Sequence, residues 1–271
     1  MKSSSLSKLL VAVLAVSFAL LFTAACASTN ATTAGEAPAK MKEISGRAPI
    51  TGGLQRDGIE VVQDDFVVVA ILDLGPGEVA LVDAGNAQDA GPILSALARR
   101  GLGPEAVKAI LLTHGDGDHI RGVPRFPNAE VMALEADLAL VEGRAVKVPS
   151  RPAKPTGIAV TRALRDGEIV ELGSVRIEVF AVPGHTPGSA AFLTNGVLFL
   201  GDSAGASVDG ELLPGDPKHT VDQPLNRASL RNLAARLAPR ASEIDLLVPS
   251  HTSALDRGLT PLLDLAARPE E

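Results

Sequence analysis

The chain has 271 residues, 46% hydrophobic and 21% charged, with 25 Lys and Arg against 32 Asp and Glu for a formal net charge of −7. That size and balance fit one sizeable globular domain. An acidic chain lacks the basic face that nucleic-acid phosphates require, and charge alone would not hold it on anionic lipid.

Residues 1–25 read as a secretory signal: Lys2 and Lys8 flank a polar start, residues 9–22 are an apolar core, and small residues follow. The apolar run is too short for a comfortable membrane span. Removing this segment takes two lysines and no acids, which leaves 23 basic and 32 acidic residues and a net charge of −9. The single cysteine, Cys26, directly follows Thr23-Ala24-Ala25, which resembles a bacterial lipoprotein cleavage box. A lone cysteine in an exported chain has no disulfide partner. The expectation is therefore a lipid on Cys26 that anchors the protein to the cell envelope, at the outer membrane in a diderm host. Ordinary signal cleavage is the alternative, since Ala25-Cys26-Ala27 also fits a small-x-small pattern, and it would give a soluble periplasmic or secreted protein. Residues 26–47, rich in Ser, Thr, Ala, Gly and Pro, read as a flexible tether, and residues 48–271 as the folded domain.

Within the domain, residues 65–74 and 78–82 are apolar, β-branched runs around Gly75-Pro76-Gly77, a hairpin signal. Residues 89–100 place Ile93, Leu94 and Leu97 on one helical face, with Gly101 as the stop. A buried strand is predicted over 107–113, another over 129–134, and a short helix over 135–142. Residues 144–161, rich in Pro and basic residues, read as a surface loop. Strands over 168–172 and 175–182 flank the turn Gly173-Ser174, and strands over 190–193 and 197–200 flank Asn195-Gly196, a strong hairpin signal. Leu225, Leu230, Leu233 and Leu237 line a helix, 244–248 is a buried strand, and 259–267 a last helix. Two groups of strands, each with helices, indicate an α/β domain with mixed sheets.

The strand at 107–113 runs into His114-Gly115-Asp116-Gly117-Asp118-His119, which puts two imidazoles and two carboxylates within six positions. The glycines at 115 and 117 are expected to let the backbone bend so that these side chains converge. Such groups, with no Lys or Arg among them in the loop, repel one another unless a cation sits there. His185, Asp202 and His251 likewise fall just past predicted strands, where loops from several strands can meet.

His-x-Asp-x-Asp-His after an apolar strand resembles the His-x-His-x-Asp-His signature of the metallo-β-lactamase fold superfamily. The later positions match in order: His185 in Val182-Pro-Gly-His-Thr-Pro-Gly-Ser189, Asp202 in Phe199-Leu-Gly-Asp-Ser203, and His251 in Val248-Pro-Ser-His-Thr252. The upstream Val82-Asp83-Ala84-Gly85 also matches, and the resemblance covers residues 48 to 265. One departure is Asp116, where most relatives carry His; flavodiiron proteins of the same fold also place a carboxylate there. The resemblance implies an αββα sandwich of two mixed sheets flanked by helices. It implies one divalent metal on His114, Asp116 and His185, a second on Asp118, His119 and His251, and Asp202 bridging. It further implies hydrolysis of a small ester, thioester, amide or phosphoester by metal-bound hydroxide, with Asp118 orienting the nucleophile. Zinc is the expected metal; a carboxylate at 116 is a harder ligand and keeps iron or manganese open. The alternatives are a non-hydrolytic iron or diiron redox protein, a metal-binding lipoprotein, or a fold relative that has lost metal through Asp116.

Asp83 is expected to orient the metal loop or a ligand histidine, or else only to cap a turn. Thr113 and Ser250 could support ligands or merely cap backbone. Lys218 and His219 border the substrate in relatives, with an exposed loop as the alternative. The chain has no Tyr and no Trp, and glutathione-thioester hydrolases and quorum-signal lactonases of this fold usually carry a tyrosine near the metals. That absence weighs against both, and the missing C-terminal helical extension that holds glutathione in the first group weighs against that group. The partner expected is a small-molecule substrate, not nucleic acid.

Overall fold

The computed structural model describes residues 46–147 and 152–269. The predicted signal segment, Cys26 and the tether up to residue 45 lie outside the described residues. At the start of the described chain, Arg47 bridges Ser207 and donates to the Pro214 carbonyl, so residues 46–47 are already tied to the domain.

The elements run β1 (Leu54–Arg56), β2 (Ile59–Asp64), β3 (Val67–Gly75), β4 (Glu78–Val82), α1 (Gly91–Arg99), β5 (Val107–Leu111), α2 (Gly117–Ile120), β6 (Glu130–Leu134), α3 (Leu138–Val141) and β7 (Arg162–Leu164). They continue as β8 (Ile169–Leu172), β9 (Val175–Ala181), β10 (Ala190–Thr194), β11 (Val197–Gly201), β12 (Ala204–Ala206), β13 (Leu212–Pro214), α4 (Gln223–Leu237), β14 (Leu246–Pro249) and α5 (Thr260–Ala267). One sheet holds β1 to β7 in sequence order, antiparallel through β4 and parallel from β4 to β7. The other main sheet has the order β14-β11-β10-β9-β8, antiparallel except where β14 runs parallel to β11, and β12 and β13 form a separate antiparallel pair.

Alternation along the strands produces the layers. In β3, Val68, Ala70 and Leu72 face a core shared with Ile177, Val179, Phe192 and Phe199 of the other sheet. Val69 and Ile71, one residue out of phase, pack with Ile93 and Leu97 of α1. In β10, Phe192 points between the sheets, while Ala191 and Leu193 meet Leu230, Leu233 and Leu237 of α4. Both sheets are thus apolar on both faces, with helices outside and sheets inside: the αββα sandwich. Leu225 departs from the predicted apolar face of α4 and is 42% exposed.

Three hairpins follow their turn residues. Asn195 and Gly196 take φ of 45° and 75° between β10 and β11, the pair of positive φ values that a two-residue turn between antiparallel strands demands. Asp57-Gly58 makes the same turn between β1 and β2 with φ of 42° and 80°, and Gly75-Pro76-Gly77 joins β3 to β4 as expected. No helix among the described residues is long and apolar enough to cross a membrane.

Candidate metal centre

The seven candidate ligands come from both sheets. His114 and Asp116 follow β5, Asp118 and His119 sit in α2, and His185, Asp202 and His251 follow β9, β11 and β14. All seven side chains meet where these loops converge. His114, His119 and His185 are at most 1% exposed, whereas Asp116, Asp118 and His251 show 23–30% of their side chains. The cluster is therefore open to solvent on the side of these three.

Two donor sets are present. In the first, His185 Nε2 lies 3.2 Å from His114 Nε2, 3.1 Å from Asp116 Oδ2 and 3.5 Å from Asp202 Oδ2. His114 Nε2 is 3.5 Å from Asp116 Oδ2 and 3.9 Å from Asp202 Oδ2. In the second, His119 Nε2 lies 3.3 Å from His251 Nε2, 3.7 Å from Asp118 Oδ2 and 3.3 Å from Asp202 Oδ1. His251 Nε2 is 3.3 Å from Asp118 Oδ2 and 3.1 Å from Asp202 Oδ2. A tetrahedral cation with bonds of about 2.0–2.1 Å has donor edges of about 3.3 Å, and both sets have that scale. Asp202 borders both, and its Oδ1 is buried without a hydrogen bond although His119 Nε2 stands 3.3 Å away. A buried carboxylate oxygen left unsatisfied between two converging donor sets suits a shared cation.

The ring orientations fit the same reading. Asp83 accepts from the Thr113 backbone N–H at 2.7 Å, from Thr113 Oγ1 at 2.8 Å and from His119 Nδ1 at 2.8 Å. Thr113 Oγ1, whose proton goes to Asp83, is 3.0 Å from His114 Nδ1 and so accepts from it. One carboxylate thereby fixes a histidine of each set with Nε2 turned inward, the arrangement expected of buttressed metal ligands. His251 Nδ1 donates to the Phe66 carbonyl at 2.6 Å, with the same result. Asp83 thus makes both connections raised from the sequence, to the loop and to a ligand histidine; Thr113 does so through its hydroxyl.

One supporting residue escaped the sequence reading. Asp137, in the turn that opens α3, is fully buried and accepts from Gly115 N–H at 2.8 Å, Thr186 Oγ1 at 2.9 Å and Gly188 N–H at 2.8 Å. It ties the His114 loop to the His185 loop. The glycines of the first loop also serve differently from expectation, since neither has a positive φ. At Gly115 a Cβ would come within 2.8 Å of the Val141 backbone nitrogen, so this glycine admits a close approach of α3; at Gly117 a Cβ meets only the Arg121 side chain at ordinary contact distance.

Carboxylates and burial together set the electrostatics of the cluster. Burial opposes ionisation of Asp118, but hydrogen bonding from His251 and the charge of His119 hold its pKa down at about 2. Burial disfavours a proton on His119 and His251, yet Asp202 with Asp83 or Asp118 outweighs it. His119 is raised well above its ordinary value and His251 to about 10. Burial pushes His185 down to about 4.

The loop itself carries no basic residue, but one reaches the cluster from elsewhere in the chain. Lys147, from the stretch expected to run over the surface, places Nζ 2.5 Å from Asp116 Oδ2 and 2.8 Å from His185 Nε2. No local pattern pointed from residue 147 to a loop 31 positions earlier. Lys218 and His219 are exposed on a turn capped by Asp216, which is the alternative raised from the sequence.

Residues 62–251 match the family model described as the metallo-beta-lactamase superfamily. A hydroxyacylglutathione hydrolase of Xanthomonas axonopodis pv. citri (strain 306) is 35% identical over 167 residues, 62% of this chain and 57% of that protein. The chain thus spans under two thirds of that relative's length. Among solved structures, a B3 metallo-beta-lactamase with an active-site glutamic acid superposes with a TM-score of 0.61 at 22% identity, covering 81% of this chain and 87% of that one. A metallo-beta-lactamase family protein from Thermus thermophilus gives 0.55 at 27% identity, covering 78% of each.

Proposed function

The chain belongs to the metallo-beta-lactamase superfamily, and from that premise we propose that it is a dinuclear metal-dependent hydrolase of a small ester, thioester, amide or phosphoester. The observation that carries the reading is the pair of four-donor sets sharing Asp202, with spacings suited to divalent cations. His114, Asp116 and His185 would hold one cation, Asp118, His119 and His251 the other, and Asp202 would border both. Cations there supply Lewis acidity and lower the pKa of water toward neutrality. Zinc is the first choice, since two-histidine, one-carboxylate sites suit it.

The chain's own residues position the chemistry. Asp83 and the Phe66 carbonyl lock three imidazoles with Nε2 inward, and Asp137 holds the two loops of the first set together. Asp118, partly exposed, offers one oxygen to its own set and can orient a water with the other. Substrate approaches on the open side bounded by Asp116, Asp118 and His251. Among the described residues no competing nucleophile is at hand: Ser203 is fully buried with its hydroxyl turned to the Val182 carbonyl, and the nearby histidines are committed to the donor sets.

Among substrate classes, the name of the curated relatives puts thioesters first. The lack of tyrosine weighs against the way such relatives usually hold glutathione, so a non-glutathione acyl thioester is the leading choice. A second reading, an iron or diiron redox protein, draws support from the hard carboxylate of Asp116 in the first set. Metal analysis followed by a chromogenic thioester, ester and phosphoester panel separates the two: a colourless zinc protein that hydrolyses supports the first, a coloured iron protein without hydrolysis the second. The protein is further proposed to be exported and carried on the envelope by a lipid on Cys26.

A further inference from the structure

Lys147 lies in the segment after α3, and its side chain, 14% exposed, is aimed into the first donor set. Its ammonium contacts Asp116 Oδ2 and His185 Nε2. A neutral imidazole accepts through only one ring nitrogen. The His185 lone pair that Lys147 engages is therefore the one a cation would need, and the two cannot hold it together. Asp116 differs, because a carboxylate oxygen has more than one acceptor direction and can keep Lys147 while facing a cation. Loading the first set must pull Nζ off His185 and leave an ammonium beside a cation of like charge. Among the described residues the second set has no lysine against it: the polar contacts of Asp118, His119 and His251 run to Asp83, Asp202, one another and the Phe66 carbonyl.

Building on the metal-centre reading, we infer that Lys147 is a built-in competitor for the first donor set, so that the second set fills first and the first set more weakly. At limiting metal the protein then carries one ion, on Asp118, His119, His251 and Asp202. Lys147 stands in for the missing charge beside Asp116. The gap between the two affinities is on the order of ten- to a hundredfold, the worth of one charge-assisted hydrogen bond.

The test is an equilibrium titration of chelator-stripped full-length protein with cobalt(II), read by absorption against a competing chromophoric chelator. The wild type should show two binding phases at least about tenfold apart, and His185→Ala should lose only the weaker. Lys147→Leu should strengthen the weaker phase by about ten- to a hundredfold and leave the tighter one in place. Lys147→Ala, with melting of each metal-free variant recorded, should do the same and guards against a packing defect in one variant. Two equivalent ions in the wild type, or a weaker phase unmoved in both Lys147 variants, would overturn the inference. Absence of any binding would remove the metal-centre reading beneath it, an outcome that neither Lys147 result imitates.

Discussion

Asp137 offers a stability prediction whose size can be worked from the structure. Its carboxylate accepts three hydrogen bonds from buried partners, two backbone N–H groups and the Thr186 hydroxyl, none longer than 2.9 Å. Asp137→Ala leaves the two backbone N–H groups without an acceptor and the Thr186 hydroxyl with only Ser189 Oγ, and each unsatisfied buried donor costs about 1–3 kcal/mol. Water entering the vacated space would recover part, so the net loss should be about 3–5 kcal/mol, a large share of the roughly 5–15 kcal/mol of an ordinary domain. Asp137→Asn should lose less, about 2 kcal/mol. Its amide oxygen can serve Gly115 and Thr186, but its NH2 then faces the Gly188 N–H. Urea unfolding with chelator present, so that bound metal does not mask the change, reads both values. Asp89→Ala is the control, because Asp89 is exposed and, among the described residues, accepts only from the Gly91 N–H; it should cost under about 1 kcal/mol. A loss below about 1 kcal/mol for Asp137→Ala would refute the role given to this carboxylate.

Asp83→Asn should weaken metal binding about 10- to 100-fold, because it perturbs His119 directly and His114 through Thr113; calorimetric titration checks this. Asp116→Ala should remove about one ion per chain at moderate free metal, while Asp116→His should restore it and shift preference toward zinc, both read by metal analysis after dialysis. Cys26→Ser should move the protein from the membrane fraction to the soluble fraction or stall its processing, and unchanged fractionation would count against lipid anchoring.

Much of the site was legible because its residues cluster in sequence beside strand ends. Residues 114–119 announce a cation site by their own composition, and His185, Asp202 and His251 each follow an apolar strand. The layers were legible too, since strands buried on both faces read as continuous apolar runs. The missed elements are short or half-polar. β2 carries Glu60 and Gln63 among its valines, although Asp57-Gly58 ahead of it is a hairpin signal that could have exposed it. β7, β12 and β13 have three residues each, too short to display a period; β7 pairs with β6, and β12 with β13. Asp137 and Lys147 were illegible for another reason. An acid at the start of a short helix and a lysine in a Pro-rich loop look like solvated residues until the fold brings Gly115, Gly188 and His185 against them.

The central claim is that the two donor sets hold cations that drive hydrolysis, and one reconstitution experiment tests it most directly. Turnover of a chromogenic acyl thioester is followed for purified, chelated and metal-restored protein, wild type beside Asp118→Asn. Turnover should vanish on chelation and return with about two equivalents of zinc. Asp118→Asn should bind metal but lose mainly kcat, because its defect lies in the reacting state. Metal-free protein that turned substrate over at the full rate, or a fully active Asp118→Asn, would contradict the account.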